Sequence, residues 1–302
     1  MSLSTIRVTV GRVILVAGVL VLLFIPYLLW GTGLITAQAQ RDLRQQFAAS
    51  QRLHHQSVDV HPPSVPSGPP TVAPPIAAAA PGSALGIISI PKIALTMVIV
   101  EGTGAEQLRS GPGHYPGTPL PGQAGNAAIA GHRTTYLHPF YNLNELAAGD
   151  PIDIVTVQGQ FVYKVTGSQV VAPTDVAVVA PTPTPVLTLT TCNPRYSASQ
   201  RLVIHAALVA DVLSGASPPR APSTAGGHRP SDPAAPAALQ RHWWEAVLWG
   251  LAVAGVLIVV WALALRLRGG RRVALLSVGL LAWLGVVFLF FGALAPLLPA
   301  SY

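Results

Sequence analysis

Charged residues and cysteine are both scarce in this sequence. Only 10% of the 302 residues are charged and 51% are hydrophobic, whereas a soluble globular protein has about 25% charged residues. An ordinary cytosolic enzyme and a disordered protein are therefore both excluded. Cysteine occurs once, at Cys192, so an intramolecular disulfide, the usual reason for a cysteine outside the cell, is excluded as well.

Three long apolar runs account for the shortage of charge. They lie at 13–30, 246–265 and 273–295, and none contains a charged residue. Each is close to the ~20 residues that a helix needs to cross a bilayer core, so we predict three transmembrane helices. A cleaved signal peptide is the alternative for the first run, because Ala37-Gln38-Ala39 resembles a cleavage site. An uncleaved anchor is favoured, because the run is longer than the roughly 7–15 apolar residues of a signal peptide.

The net charge of +7 points to a membrane rather than to a nucleic acid. Six of the eighteen basic residues flank the apolar runs, and the rest of the chain is nearly neutral. Because an excess of Lys and Arg marks the cytoplasmic side, we predict a cytoplasmic tail at 1–12, a cytoplasmic Arg-rich loop at 266–272 and an extracytoplasmic tail at 296–302. The long segment between the first two spans then lies outside, and no basic patch remains for a nucleic-acid partner. The predicted location is the cell membrane, with several passes.

Two segments between the spans have the composition of linkers. A juxtamembrane segment with a Pro-rich linker occupies 31–83, and within it 61–82 contains eight prolines and no charged residue. Such a stretch is expected to be extended, because it cannot bury a core. A second linker, at 212–245, is rich in Pro, Ala, Ser and Gly. Between the linkers, 84–211 has the normal size of a single domain.

One short helix is predicted before the Pro-rich stretch, at 36–56. This range is polar and rich in Ala and Gln, and Leu43 and Phe47 lie at helical spacing. We interpret it as a juxtamembrane helix and assign it no function.

The domain at 84–211 is dominated by strand patterns. β-Branched and apolar runs separated by Gly, Pro and Asp are typical of strands, and they occur at 86–90, 96–100, 126–130, 151–157, 160–166, 168–171, 186–191 and 202–209. Helices are predicted only at 105–110 and 140–147, each followed closely by a glycine. Many short strands with few helices predict a closed or partly open β-barrel, so the fold class is mainly β.

Cys192 lies where a predicted strand ends. Thr188-Leu189-Thr190-Thr191 leads into the cysteine, and Pro194 follows closely and cannot donate to a strand ladder. A thiol at a strand end is accessible from the neighbouring loop, whereas a thiol in mid-strand generally is not. Cys192 is therefore a candidate nucleophile, and a buried cysteine with a packing role is the alternative.

A cysteine nucleophile needs a group that transfers protons. His132 directly follows a predicted strand, in Gly131-His132-Arg133, and is our candidate. His205 alternates with apolar residues in a strand, which favours a structural role in the barrel. His114 and His138 lie in predicted loops and are weaker candidates.

A developing oxyanion needs a cation or a hydrogen-bond donor. Arg201 opens the last predicted strand, nine residues after Cys192, and a connection of this length can bring it beside the cysteine. Arg133 and Arg195 are interpreted as loop arginines. Acidic residues in the domain are few and scattered, so we expect neither a metal site nor a cofactor.

Together these residues resemble the signature of the sortase family. That signature combines a histidine, a Thr-Leu-x-Thr-Cys motif and an arginine on the following strand, which match His132, 188–192 and Arg201 here. The segment Gly-Pro-Gly-His-Tyr-Pro-Gly-Thr at 111–118 is in addition similar to class E sortases of actinobacteria. The resemblance covers 85–209, and the combined match is highly specific.

The resemblance implies an eight-stranded β-barrel and a cysteine transpeptidase without a cofactor. Cys192 would attack the carbonyl between Thr and Gly of a C-terminal sorting signal, of the form LAxTG or LPxTG, and form a thioester. Arg201 would stabilise the oxyanion, while His132 would protonate the leaving amine and deprotonate the incoming one. The implied partners are secreted proteins that carry the signal and a lipid-linked peptidoglycan precursor that supplies the amine. Thr190 and Thr191 are the residues expected in the substrate groove.

Three other functions are weighed against anchoring of proteins to the cell wall. A C-terminal hydrophobic hairpin is commoner in pilin-polymerising sortases than in class E, but the Asp-Pro-aromatic lid of those enzymes is absent before the barrel. An L,D-transpeptidase would have Ser or Thr, His and Gly before the cysteine, where this sequence has Thr190-Thr191. A non-catalytic, membrane-tethered wall-binding domain would need none of Cys192, His132 and Arg201.

Overall fold

The computed structural model describes residues 11, 15, 18–56, 72–213, 243–267 and 270–294. These residues form two units. The first unit holds the described residues up to Gly31 together with those from 243 onwards, and the second holds those from Thr32 to 213. All candidate site residues belong to the second unit.

The described part of the second unit contains two helices and eight strands. In chain order they are α1 (Thr32–Gln56), β1 (Ala84–Ile90), β2 (Leu95–Glu101), α2 (Ala105–Ser110), β3 (Gly113–His114), β4 (Asn126–Ala130), β5 (Pro151–Thr156), β6 (Gly159–Val171), β7 (Val186–Asn193) and β8 (Gln200–Leu213). Short 3-10 helices lie in the connections at Pro91–Ile93, Leu143–Glu145 and Val176–Val179.

The strands close into a barrel in the order β1-β2-β3-β4-β7-β8-β6-β5. Neighbouring strands are antiparallel except for β2 with β3 and β4 with β7, which are parallel. Inward side chains form one hydrophobic core, whose fully buried members include Ile88, Ile129, Ile154, Phe161, Leu187 and Leu189. The predicted mainly β fold with an eight-stranded barrel is therefore confirmed.

Two of the eight strands differ from those that the sequence pattern predicts. The predicted strands at 160–166 and 168–171 form one continuous strand, β6, with a register shift between Val165 and Gly167. Glycine within a strand is typical of such a bulge, so Gly167 marks an irregularity rather than a turn. β3 was not predicted, because two residues are too few to show any alternation.

The helix predictions are met in part. α2 coincides with the predicted range 105–110, whereas 140–147 contains only the 3-10 helix Leu143–Glu145. α1 includes the predicted range 36–56 but begins earlier, at Thr32.

α1 packs along β2 and covers its open edge. In the described residues, β3 pairs only with the last two residues of β2, which leaves the first half without a second strand partner. Gln40 takes that place, because its side-chain carbonyl accepts the N–H of Val98 at 2.7 Å and its amide donates to the Val98 carbonyl at 3.1 Å. Leu43 is buried beside Val98 and Val100. The helix predicted as juxtamembrane is therefore part of the barrel unit, and it protects an exposed strand edge.

The described part of the predicted Pro-rich linker is docked on the barrel. The N–H of Ala73 donates to the carbonyl of Gly122 at 2.8 Å. The side-chain amides of Gln123 and Gln158 both donate to the carbonyl of Pro74, at 3.2 and 2.7 Å. Proline has no N–H but keeps a normal acceptor, which is how this extended chain is held. Residues 57–71 lie outside the described residues.

In the first unit, α3 (Trp243–Arg266) and α4 (Gly270–Leu294) are long and apolar enough to cross a membrane. Three membrane spans were predicted, and within the described residues these two helices are long and apolar enough to be spans. The first predicted span, 13–30, is described only in part: residues 18–26 are helical, and Tyr27 packs against Phe288 and Phe291. That span stays a prediction.

Several predicted connecting segments are outside the described residues. These are the tails at 1–12, residue 11 apart, and 296–302. The predicted linker at 212–245 is described only at its ends, where β8 finishes and α3 begins. The Arg-rich loop predicted at 266–272 falls at the junction of α3 and α4.

Candidate active site

The three candidate catalytic residues lie at neighbouring strand ends. Cys192 in β7 is paired directly with Arg201 in β8. β4 runs parallel to β7 on its other side, and the N–H of Gly131, just beyond β4, donates to the carbonyl of Thr190 at 3.0 Å. His132 therefore follows β4 at about the level of Cys192. The barrel thus brings together three residues that are up to 69 positions apart in the sequence.

Cys192 lies on the outer face of the barrel. Leu187 and Leu189 belong to the core, so strand alternation places the side chains of Thr190 and Cys192 on the opposite, outward face. Cys192 is nevertheless only 5% exposed, in contrast to the accessible thiol expected at a strand end. The segment after β4 contacts the end of β7, where Arg133 donates to the carbonyl of Cys192.

Burial keeps the thiol of Cys192 in its neutral form. Desolvation raises the pKa of the thiol, while the positive charges of Arg201 and Arg133 act in the opposite direction. The two guanidinium groups therefore favour the thiolate, but their effect on the pKa is smaller than that of burial.

His132 is also held in its neutral form. It is 7% exposed, and its ring centre lies 4.9 Å from that of Tyr136. Burial lowers the pKa of His132 to about 4, and the positive charge of Arg109 adds to this effect. At neutral pH the imidazole is uncharged and therefore able to accept a proton.

The β7–β8 connection holds Arg201 at the edge of the site. Its Nη1 donates to the carbonyls of Ala198 and Gln200, at 3.0 and 3.1 Å. The side chain is half-buried, and its positive charge acts on the thiol of Cys192, the residue paired with it in β7. This is the position from which a cation can meet the negative charge that develops on a bound carbonyl oxygen.

The two threonines expected in the substrate groove have different surroundings. The hydroxyl of Thr190, on the face of Cys192, is 2.9 Å from the hydroxyl of Tyr115. The next residue, Thr191, donates to the carbonyl of Gly131 at 2.7 Å and joins β7 to the segment that carries His132. Both threonines are buried.

Arg133 is part of the site, although the sequence suggests only a loop arginine. Its Nη1 donates to the carbonyl of Cys192 at 2.9 Å and to the side chain of Asn193 at 2.8 Å. Its Nη2 donates to the side chain of Asn144 at 2.8 Å. Burial and the charge of Arg195 lower the pKa of Arg133. The signal in the sequence was its place directly after His132.

The other histidines considered as candidates lie elsewhere. His114 is buried, and its Nδ1 atom lies within hydrogen-bonding distance of the Glu101 carboxylate. His205 is hydrogen-bonded to Thr188 at 3.1 Å, and burial lowers its pKa. His138 is exposed. In the described part of the chain, no group of three or more His, Cys, Asp or Glu side chains could hold a metal ion.

Residues 88–209 match the family model of the sortase domain. The chain belongs to the sortase family. This sortase is 30% identical over 220 residues to Sortase SrtE1 of Streptomyces coelicolor, which covers 66% of this chain and 56% of the relative. It is 36% identical over 114 residues to Sortase D of Bacillus subtilis, which covers 37% of this chain and 56% of the relative. The chain thus spans just over half the length of both relatives, and the likeness to SrtE1 agrees with the class E motifs.

Two solved sortase structures are also similar to this chain. The crystal structure of sortase E1 from Streptomyces coelicolor with a tripeptide in the active site is 33% identical, covering 45% of this sortase and 94% of that chain with a TM-score of 0.42. Sortase E from Streptomyces avermitilis is 36% identical, covering 45% of this chain and 93% of that chain with a TM-score of 0.42.

Proposed function

We propose that this sortase is a cysteine transpeptidase that cleaves a C-terminal sorting signal between Thr and Gly and joins the Thr carboxyl to an amine. The observation that carries the proposal is the register of three strands, with Cys192 opposite Arg201 and His132 at the end of the adjoining strand. A nucleophile, a proton-transfer group and a cation are the groups that acyl transfer requires.

The first half of the reaction starts from a neutral pair. The lowered pKa of His132 and the raised pKa of Cys192 leave both uncharged at neutral pH. The thiol gives its proton to His132, and the thiolate attacks the carbonyl carbon between Thr and Gly. Arg201 stabilises the oxyanion of the tetrahedral intermediate. His132 then gives the proton to the leaving Gly amine, and the Thr carbonyl remains on Cys192 as a thioester.

The second half restores the enzyme. An incoming amine attacks the thioester carbonyl, and His132 accepts the proton that the amine loses. Collapse of the second tetrahedral intermediate breaks the carbon–sulfur bond, forms a new amide and returns the proton to Cys192. One amide is exchanged for another through a thioester, so no ATP is needed.

The substrate class follows from the class E resemblance. We assign an LAxTG or LPxTG-like signal on secreted proteins as acyl donor, and a lipid-linked peptidoglycan precursor as amine. Thr190 lies on the face of Cys192 and lines the groove beside Tyr115, which supports this placement. Thr191 supports the groove from behind, through its bond to Gly131.

The apolar helices supply the anchor. We assign α3 and α4, together with the predicted span at 13–30, to the membrane, with the N-terminus cytoplasmic and the barrel extracytoplasmic. The length and apolar composition of α3 and α4 support the anchor, and the distribution of Arg supports the orientation. The same helices are the observation that favours the second candidate, a pilin-polymerising sortase, whose acceptor would be a lysine of another protein subunit.

The test uses the full chain in detergent with an LAxTG peptide and a small amine. Mass spectrometry should detect the peptide–amine product and, when the amine is left out, an acyl group on Cys192. Cys192→Ala should give neither. Cleavage by Cys192→Ala, or turnover of the wild type without any acyl group on Cys192, would refute the proposal. Offering a peptidoglycan-type amine and a pilin-type lysine peptide in competition distinguishes the two candidate acceptors.

A further inference from the structure

The segment directly after His132 has a strained backbone. Tyr136, Leu137 and His138 have φ angles of 54°, 60° and 37°, in the left-handed region that residues with a side chain rarely adopt. Three such residues in succession persist only where the surrounding structure holds them in place. The ring of Tyr136 packs at a tilt against that of His132, with the ring centres 4.9 Å apart, so whatever holds this segment also holds the surroundings of His132.

The first turn of α1 contacts this strained segment. The hydroxyl of Thr32 accepts the N–H of Tyr136 at 3.3 Å. One residue further on, Gly33 lies so close to Leu137 that a Cβ at Gly33 would be 3.2 Å from a methyl carbon of Leu137. Two successive residues of α1 therefore touch two successive strained residues of the segment.

The second turn of α1 holds the other neighbour of His132. The hydroxyl of Thr36 donates to the carbonyl of Arg109 at 2.8 Å, a shorter distance than the 3.1 Å to the carbonyl of Thr32 in its own helix. The guanidinium carbon of Arg109 lies 6.0 Å from the ring centre of Tyr136. Arg109 is also the residue whose charge acts on His132.

The two threonines lie on one fully buried face of α1. Thr32 is 1% exposed and Thr36 is 0% exposed, and residues four apart lie on the same side of a helix. Valine would fill nearly the same volume without a polar group, and a buried hydroxyl is costly unless it is hydrogen-bonded. The hydroxyls are thus placed where they bind the two segments that enclose His132.

We infer that α1 is a positioning element of the active site, in which Thr32 and Thr36 hold the Tyr136 segment and Arg109 and thereby fix the ring of His132. The inference rests on the proposed catalytic role of His132. The first two turns of α1 thus position His132, whereas Gln40 and the residues that follow it cover the edge of β2.

The test compares two substitutions at Thr32 in the full chain in detergent. Thr32→Val keeps the shape and removes the hydroxyl, whereas Thr32→Ser keeps the hydroxyl. A displaced catalytic group costs about 10–100-fold in rate. We expect Thr32→Val to lower kcat by that factor with KM nearly unchanged, and Thr32→Ser to retain the wild-type kcat. Equal kcat for the valine variant and the wild type, or an equal loss in the serine variant, would overturn the inference.

Arg44→Met is the matched control on the same helix. Arg44 is exposed and donates to the carbonyl of Thr96 at 3.1 Å, so it docks α1 on β2 away from His132. We expect wild-type kcat from Arg44→Met even if its melting temperature falls as far as that of Thr32→Val. A loss of kcat in Arg44→Met equal to that in Thr32→Val would show a general docking effect and overturn the inference.

A readout without turnover separates this inference from the proposed function. In protein with isotope-labelled histidine, the ring current of Tyr136 shifts the ring resonances of His132, which are assigned by their loss in His132→Gln. Thr32→Val should move these resonances, and Thr32→Ser should leave them in place. Unmoved resonances in Thr32→Val would overturn the inference even if the enzyme is active. Conversely, the wild type could fail to process the LAxTG peptide while Thr32→Val still moves the His132 resonances. That result would uphold the inference about the position of His132 and reject the proposed reaction.

Discussion

Two buried histidines of the barrel have opposite surroundings. His114 and His132 are 2% and 7% exposed. The Nδ1 atom of His114 lies 2.9 Å from the Glu101 carboxylate, and its Nε2 atom lies 3.0 Å from the carbonyl of Pro119. Both nitrogens of this ring are thus engaged by the fold, and the ring is fixed as a structural link between β2 and β3.

His132 has a different kind of neighbour. Its ring packs at a tilt against that of Tyr136, and burial, with a further contribution from the charge of Arg109, lowers the pKa of His132 to about 4. Both histidines are buried, so burial alone does not distinguish the proposed proton-transfer histidine from a structural one. The groups beside each ring do, with a carboxylate at His114 and an aromatic ring and a cation at His132.

The largest expected effect is on turnover. His132→Ala should lower kcat by about 10²–10⁴-fold, the usual contribution of a positioned acid–base group, with little change in melting temperature. Steady-state cleavage of the LAxTG peptide and thermal unfolding measure the two effects. Full activity in His132→Ala would contradict the proposed difference in role between His132 and His114.

At the other histidine the effect should be on stability. His114→Leu leaves the Glu101 carboxylate buried without its partner, which typically costs about 3–5 kcal/mol. We expect a clear fall in melting temperature and an unchanged kcat per folded molecule. The double variant His114→Leu/Glu101→Leu removes both partners of this contact and should recover much of the lost stability. A single variant that is stable but inactive would contradict the structural role of His114.

The free energy of unfolding should depend on pH through His132. Its pKa is lowered from 6.5 to about 4 on folding, so between these values the unfolded chain binds a proton that the folded chain does not. This contribution to stability is complete above pH 6.5 and is lost as the pH falls towards 4, by up to about 3 kcal/mol. His132→Gln should flatten the stability curve over this interval, relative to the wild type. His205→Gln, at a half-buried site, should flatten it less, and an equal effect would contradict the burial argument.

The smallest effect is expected at Arg133. Arg133→Met removes the hydrogen bond to the carbonyl of Cys192, so we expect kcat to fall by about tenfold, the equivalent of one charged hydrogen bond. Arg195→Met is the matched control, because Arg195 packs on Tyr141 at 4.1 Å and bonds to Asn142 rather than to the cysteine. Equal losses in both variants would show a general effect on the loop.

The sequence predicts the barrel better than it predicts the individual strands. Apolar and β-branched runs bounded by turn residues identify β4 and β7, whose residues are nearly all buried. The same rule divides β6 at Gly167, because it treats a glycine that marks a bulge as the end of a strand. It misses β3, because two residues are too few to show a strand pattern, although they pair with both β2 and β4. The predicted number of eight is right because one added strand offsets one that was missed.

The candidate site likewise contains residues that the sequence predicts and residues that it does not. Cys192, His132 and Arg201 follow from residue type and from their place at strand ends. The contacts of Arg133 and Thr32 do not, because they depend on how segments far apart in the chain cross one another. The face of α1 that contacts the barrel is visible in the sequence only at Leu43 and Phe47. Its continuation through Gln40, Thr36 and Thr32 is polar and lacks a hydrophobic signal.

The docking of α1 changes what the Pro-rich stretch can do. Residues 57–71 connect α1 to Ala73, and both of these are hydrogen-bonded to the barrel. The segment therefore joins two points of one body instead of linking the barrel to the membrane helices. Each doubling of the length of such a connection costs only about 0.6 kcal/mol in chain entropy. We expect insertions there to be tolerated and to leave the reach of the barrel from the membrane unaltered.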